Sequence, residues 1–301
     1  MFSDASNFVQ GVDTSFAIIL GASLFFLVGI TAVMVYFVVR YHKSRHPEAK
    51  DVHESRRLEI TWTVIPTILV LVMFYFGWTG YKPMRSIPDE GIKVKAYAQM
   101  WSWQFEYENG KTSDSLVVPI DKAVVLDLIS RDVVHSLYIP AFRIKEDVVP
   151  GRTNKMWFIG QKEGDYDIFC AEYCGDRHSY MLSKVVVVPE DKYTTWFNNK
   201  TTTDHPGLAV LKKNACLSCH SLDGTRIVGP SFKGIWGHEV EVITNGEERS
   251  VTVNEDYILR SVYDPNADVV KGFNQGQMIS YKNIISEDEI KDIIEYLKTL
   301  K

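Results

Sequence analysis

Two stretches of the chain, residues 16–39 and 60–81, carry no charged residue. As helices rising about 1.5 Å per residue, each is long enough to cross a hydrocarbon core of about 30 Å. After about Pro83 the pattern changes, and short apolar segments alternate with charged and turn-forming residues. Within residues 92–188, the segments 116–118, 123–128, 156–159 and 184–188 are mostly β-branched and are separated by Gly, Pro, Asp and Asn. That spacing predicts a small sandwich or barrel, with Pro150-Gly151 as a turn between strands. A polar stretch around Asn198-Asn199-Lys200-Thr201-Thr202-Thr203 reads as a linker. From Gly207 the pattern becomes helical, with a short helix over 207–214. Ser286-Glu287-Asp288-Glu289 forms a capping box that opens a terminal helix with Ile290, Ile293, Ile294 and Leu297 on one face. The fold class expected is a multi-domain membrane protein. Residues 1–85 are an N-terminal tail and a two-helix transmembrane hairpin, 90–190 an all-β domain, 191–205 a linker and 206–301 an all-α domain.

A cleaved signal peptide fits the first apolar run poorly. The residues before it hold Asp4 and Asp13 and no Lys or Arg, and the run is too long for such a signal. Arg40, Lys43, Arg45, Lys50, Arg56 and Arg57 lie between the two runs. The excess of positive charge places that connection in the cytoplasm and both termini outside. Trp78 and Tyr81 at the outer end of the second span, and Trp62 at its inner end, suit the interfacial aromatic belt. Pro66 falls in the first turns of that span, where it costs least. Over 301 residues the net charge is −5, which gives no basic field for nucleic acid.

The four cysteines fall into two tight pairs. One sits in Cys216-Leu217-Ser218-Cys219-His220. Two thiols at this spacing add to the two vinyl groups of one haem while the next His ligates its iron, the pattern of a covalently bound haem c. A redox dithiol expects a βαβ context, and a zinc half-site needs further ligands. After His220 the only methionine is Met278, and a thioether is a common partner of His on such iron. The alternative for Met278 is a core-filling residue. Gly229-Pro230 fits a loop that packs on the haem and orients the imidazole.

The other pair lies in Cys170-Ala171-Glu172-Tyr173-Cys174-Gly175-Asp176-Arg177-His178-Ser179-Tyr180-Met181. Two thiolates, an imidazole and a thioether on one loop select a soft metal such as copper. The only histidines in residues 92–204 are His135 and His178, so a second imidazole would come from His135. A Cys170–Cys174 disulfide is the alternative, but it leaves the clustered His and Met unexplained.

This segment resembles the CuA loop of cytochrome c oxidase subunit II. The resemblance implies a cupredoxin-like domain holding two coppers through His135, Cys170, the carbonyl of Glu172, Cys174, His178 and Met181. It also implies that residues 206–301 are a class I cytochrome c domain, so that the whole is similar to the caa3-type oxidases. Met100-Trp101-Ser102-Trp103-Gln104-Phe105-Glu106-Tyr107 is similar to the family's aromatic segment, in which Trp101 is where electrons arrive; sheet packing is the plainer reading of the residues alone. Asp132-Val133-Val134-His135-Ser136 and Asp147-Val148-Val149-Pro150-Gly151-Arg152 also match. By resemblance the Glu172 side chain reaches a Mg²⁺ shared with subunit I, a hard ion suited to a carboxylate. Glu59-Ile60-Thr61-Trp62-Thr63-Val64-Ile65-Pro66 resembles the inner-end signature, which would put Glu59 at the mouth of a proton channel; a merely solvated carboxylate is the alternative.

The implied role is that of a relay, from haem c to CuA and on to subunit I, where O₂ is reduced to water with proton translocation. Neither span holds a histidine, so no catalytic residue for O₂ reduction is expected in this chain. The implied partners are subunit I, subunit III, membrane lipid, and a c-type cytochrome or quinol-oxidising complex upstream. The implied place is a bacterial inner membrane, with the C-terminal domains on the periplasmic side. The rival readings are the electron-input subunit of a CuA-containing nitric oxide reductase and a free-standing membrane-anchored carrier. Quinol oxidases lack the copper ligands, and nitrous oxide reductase lacks the hairpin.

Overall fold

A computed structural model describes residues 5–48, 54–199 and 205–301. Asp4, Lys50 and the linker positions from Lys200 to Asp204 lie outside the described residues. Two long helices come first, α1 (Val9–Arg40, 32 residues) and α2 (Arg56–Arg85, 30 residues). Both are exposed along their apolar lengths, as lipid-facing helices are. Pro66 is not in the first turns of α2, because that helix begins at Arg56, ahead of the apolar run. Glu59 lies in the first turn of α2 and is exposed. The helices meet near the ends closest to the sandwich, where Ser15 Oγ donates to the carbonyl of Phe76 at 3.1 Å.

The second part is a sandwich of two five-stranded sheets. Its strands are β1 (Ile92–Gln99), β2 (Ser102–Tyr107), β3 (Thr112–Ser113), β4 (Leu116–Pro119), β5 (Ala123–Ser130), β6 (His135–Ile139), β7 (Ile144–Val148), β8 (Asn154–Ile159), β9 (Gly164–Cys170) and β10 (Leu182–Val188). The sheet orders are β3-β2-β1-β5-β8 and β4-β10-β9-β6-β7. Alternate residues point inward, and Phe105, Phe142, Phe158, Leu126 and Leu137 are fully buried between the sheets. The tail before α1 joins this core. Ala5, Ser6 and Phe8 are buried there, and Ile159 N donates to Asn7 Oδ1 at 2.8 Å; in the first turns of α1, Asp13 Oδ1 accepts from Arg143 Nε at 2.8 Å.

The expected linker is partly helical. α3 (Glu190–Asn198) lays Tyr193, Trp196 and Phe197 against Tyr107, with the Trp196 ring 5.0 Å from it. The i, i+3, i+4 spacing of these aromatics forms an apolar stripe that outweighs the polar residues around it. The helix therefore belongs to the sandwich.

The last part contains α4 (Pro206–Lys213), α5 (Glu255–Tyr263) and α6 (Glu287–Thr299) around a core of its own. The capping box at Ser286 and Glu289 is formed, and Ile290, Ile293, Ile294 and Leu297 are buried. Against the all-α expectation, this part also holds a three-stranded sheet, β12-β11-β13, from β11 (Glu239–Thr244), β12 (Glu247–Thr252) and β13 (Val269–Val270). The turn is Asn245-Gly246, both at positive φ, the dipeptide that favours a two-residue hairpin.

Candidate functional site

The sulfur and imidazole groups of the first pair converge at one end of the sandwich. β6 begins at His135 and β9 ends at Cys170, and these neighbouring strands bring the two side chains together. The chain from Cys170 to Leu182 then folds back as a loop, closed by hydrogen bonds from Ala171 N to Ser136 O and from His178 N to Gly175 O, each 3.0 Å. Cys170 Sγ lies 3.7 Å from Cys174 Sγ, 3.9 Å from His135 Nδ1 and 3.2 Å from the carbonyl oxygen of Glu172. Cys174 Sγ lies 3.4 Å from His178 Nδ1 and 3.9 Å from Met181 Sδ. His135 and Met181 are fully buried, and both cysteines are free thiols rather than a disulfide.

The electrostatics suit a cation at this place. Burial opposes ionisation of Cys170, yet the His135 ring and backbone donors outweigh it and draw the thiol down to about 6. Cys174 is pushed up to about 12, by burial and then by the Cys170 charge. Two thiols so coupled lose both protons readily only when positive charge is supplied. Such a donor set, two sulfurs with imidazole and thioether, fits a soft metal. The Glu172 carboxylate does not face this cluster; it accepts from Lys145 Nζ at 3.1 Å, as Asp147 does.

Asp132 organises the neighbourhood. Its Oδ1 accepts from His135 Nε2 at 2.7 Å, which leaves Nδ1 free toward Cys170. Its Oδ2 accepts from Met100 N at 2.6 Å, fixing the backbone next to Trp101. Trp101 is buried, and its Nε1 donates to the Cys174 carbonyl at 3.2 Å. Gly175, at φ 118°, passes so close to this ring that a Cβ there would lie 3.1 Å from Cζ2. The Asp132 contact was within reach of the sequence, as a carboxylate three residues before a candidate ligating His. The Gly175 role depends on a ring more than seventy positions away and carries no local signal.

The second pair opens a cavity in the C-terminal part. Cys216 and Cys219 flank a 3₁₀ turn, and His220 N donates to Cys216 O at 2.9 Å, so the two thiols and the imidazole share one turn. Cys216, Cys219, His220 and Met278 line the same cavity, together with Phe232 and Ile258. His220 Nδ1 donates to the Pro230 carbonyl at 2.8 Å, leaving Nε2 without its proton and able to accept a metal. Burial holds the His220 ring in its neutral form, against the pull of that carbonyl. A Cβ on Gly229 would meet His220 Cε1 at 2.5 Å, so only glycine lets the loop lie flat on the imidazole. An apolar crevice with two thiols on one rim and imidazole and thioether in its walls fits a flat macrocyclic iron complex.

Comparison with known proteins gives three matches along the chain. Residues 1–77 match the model of the cytochrome c oxidase subunit II transmembrane domain, 111–188 that of its periplasmic domain, and 205–301 that of cytochrome c. The chain is 31% identical over 296 residues to cytochrome c oxidase subunit 2 of Alkalihalophilus pseudofirmus, covering 91% of this chain and 83% of that one. It is 30% identical over 283 residues to the subunit 2 of Bacillus sp. strain PS3, covering 84% and 76%. To the subunit 2 of Cereibacter sphaeroides it is 27% identical over 234 residues, covering 64% and 76%.

Proposed function

The chain belongs to the cytochrome c oxidase subunit II family, and from that premise we propose a residue-level account of its two centres. It is the electron-transfer subunit of a haem–copper oxidase, a two-span membrane protein whose family carries CuA and whose C-terminal part is a haem-binding cytochrome c. Its partner is the catalytic subunit I. The copper ligands are His135, Cys170, the Glu172 carbonyl, Cys174, His178 and Met181. Cys216 and Cys219 bind the haem covalently, with His220 and Met278 as axial ligands. The convergence of five side-chain donors and one carbonyl at the end of the sandwich carries the copper assignment.

Held in these places, a copper pair and a haem would supply one-electron chemistry with little rearrangement of their ligands. The protein's contribution is orientation. Asp132 fixes the His135 ring, Pro230 and Gly229 fix His220, and the sandwich core excludes water from the sulfurs. Trp101 lies between Met100 and the Cys174 carbonyl, which supports it as the residue where electrons reach the copper side.

The finer placement follows the same reading. The Lys- and Arg-rich connection faces the cytoplasm, and the sandwich and cytochrome lie outside, at a bacterial inner membrane. A Mg²⁺ shared with subunit I would bind Glu172 and displace the Lys145 ammonium from the Glu172 and Asp147 carboxylates. Glu59, exposed in the first turn of α2, is free to serve a proton channel of the partner. Subunit III, and a c-type cytochrome or quinol-oxidising complex as donor, complete the set of partners.

The test is metal analysis with optical and EPR spectroscopy of the purified complex. The expected result is two coppers per chain in this subunit, a mixed-valence copper signal and a covalent haem that resists acid-acetone extraction. A single mononuclear copper signal, or extractable haem, would overturn the assignment.

A further inference from the structure

The sandwich and the cytochrome part touch through a small buried polar cluster at the edge of the haem cavity, which Gln99 and Tyr281 help to line. Gln99 ends β1 on the sandwich side and is buried. Its amide nitrogen donates to the Asn214 carbonyl at 3.2 Å and to the Tyr281 hydroxyl at 3.0 Å, both on the cytochrome side. Its amide oxygen accepts from Arg131 Nη1 at 3.0 Å, and Arg131 is itself held by Gln104 Oε1 at 3.1 Å. The Tyr281 hydroxyl donates in turn to the Asn214 carbonyl at 3.3 Å. Asn214 and Tyr281 are buried as well. Both amide hydrogens and the amide oxygen of Gln99 are therefore satisfied in this relative position of the two parts, and a shift between them would leave buried polar groups unpaired.

The position so fixed matters for the two centres. Next to Gln99, the Met100 carbonyl lies 3.8 Å from Cys219 Sγ, at the rim of the haem cavity. Met100 N is tied to Asp132, and the following residue, Trp101, reaches the Cys174 carbonyl. A short chain of contacts thus runs from the Cys219 sulfur through Met100 and Trp101 to a copper ligand. Val228 of the cytochrome part also packs against the sandwich core.

We propose that Gln99 is a positioning residue that docks the cytochrome part on the sandwich, through Asn214 and Tyr281, so that the Cys219 rim of the haem cavity is held against Met100 and Trp101. The proposal rests on the assignment of haem and copper given above. One electron leaves the haem iron, which is oxidised, and arrives at the copper pair, which is reduced; no bond is broken and no proton is needed. Electron tunnelling decays steeply with the gap, so the docked geometry governs the rate between the centres. An apolar side chain of similar length at position 99 keeps the volume and removes all three bonds.

The experiment compares the intact oxidase complex with its Gln99→Met and Tyr281→Phe forms. Haem and copper content are measured first, then amide hydrogen exchange at residues 98–101, 213–216 and 279–282, then haem-to-copper electron transfer after photoreduction of the haem. Gln99→Met is expected to keep both metals, to exchange about tenfold faster at all three segments, the shift in the opening equilibrium that losing such hydrogen bonds produces, and to transfer electrons more slowly. Tyr281→Phe, which deletes one hydroxyl, is expected to act in the same direction with a smaller effect. The double variant should match Gln99→Met alone, because both changes break one link. Unchanged exchange and transfer in both single variants, with metals intact, would overturn the docking role. Absence of covalent haem or of the copper pair in the unaltered complex would instead overturn the assignment beneath it. If Gln99→Met loses haem, Tyr281→Phe alone decides.

Discussion

The two centres are built on opposite plans. The proposed copper ligands come from strand ends and one tight loop, already within hydrogen-bonding distance of each other and locked by the sandwich core. The proposed haem ligands lie on segments far apart in sequence, His220 on a short turn and Met278 on a loop, around a crevice lined by loosely regular chain. A metal pair needs donors at fixed spacing, which strands supply; a large planar group needs a shaped apolar wall, which loops around it supply. On the proposed assignment the copper site is thus specified by polar geometry, and the haem site by volume and by the two thiols at its rim.

The sharpest way to break this contrast is to remove one thiol from each. Cys174→Ser should abolish the copper pair while leaving the haem spectrum intact, and Cys216→Ser should do the reverse. Optical and EPR spectra of the two variants decide it, and loss of both centres in either would show that they fold as one unit. The next largest effect is expected at Gly229. A methyl group there must displace the His220 ring, so Gly229→Ala should cost about 1–3 kcal/mol of stability, the usual range for overpacking. A lowered haem-loss temperature, with copper unaffected, checks it.

Asp132→Asn tests the polar side of the contrast more gently. Loss of the carboxylate behind His135 should weaken copper retention by about 10–100-fold, as for other outer-sphere partners of ligating histidines. Chelator competition against the unaltered complex reads this directly. The smallest effect is expected at Asp268, which joins the hairpin of the cytochrome part to α5. Burial works against its ionisation, but Arg249, Thr244 and Arg260 outweigh burial and hold the carboxyl below its ordinary range. A depressed carboxyl contributes stability that is fully present above the ordinary range, near pH 4, and is lost as pH falls through the lower folded value. Arg249→Met should therefore flatten the loss of thermal stability of the cytochrome part on acidification below about pH 4.

How much of this was legible in the sequence follows from where the signals lie. The spans were visible because charge is absent over long runs. The ligand-bearing residues of the Cys170 loop were visible because soft donors cluster at short spacing, and His135 because few histidines compete. α3 was hidden by the Asn and Thr residues around it, although Tyr193, Trp196 and Phe197 already had helical spacing. The hairpin had its Asn245-Gly246 signal and was missed because the surrounding segments read as helical. The docking cluster had no local signal at all, since Gln99 meets partners 115 and 182 positions away. Such contacts depend on two completed domains and are written in no short window.

The tail before α1 has a mechanical consequence. Ser6, Asn7 and Asp13 hold one helix to the sandwich, and the other is held by Arg85 on Glu146 and by Trp157 Nε1 on the Pro83 carbonyl at 3.2 Å. With both legs clamped at the top, the sandwich cannot rock about a single hinge. A bilayer of different thickness must then lift or lower it as a unit, keeping the copper centre at a constant height relative to those two legs.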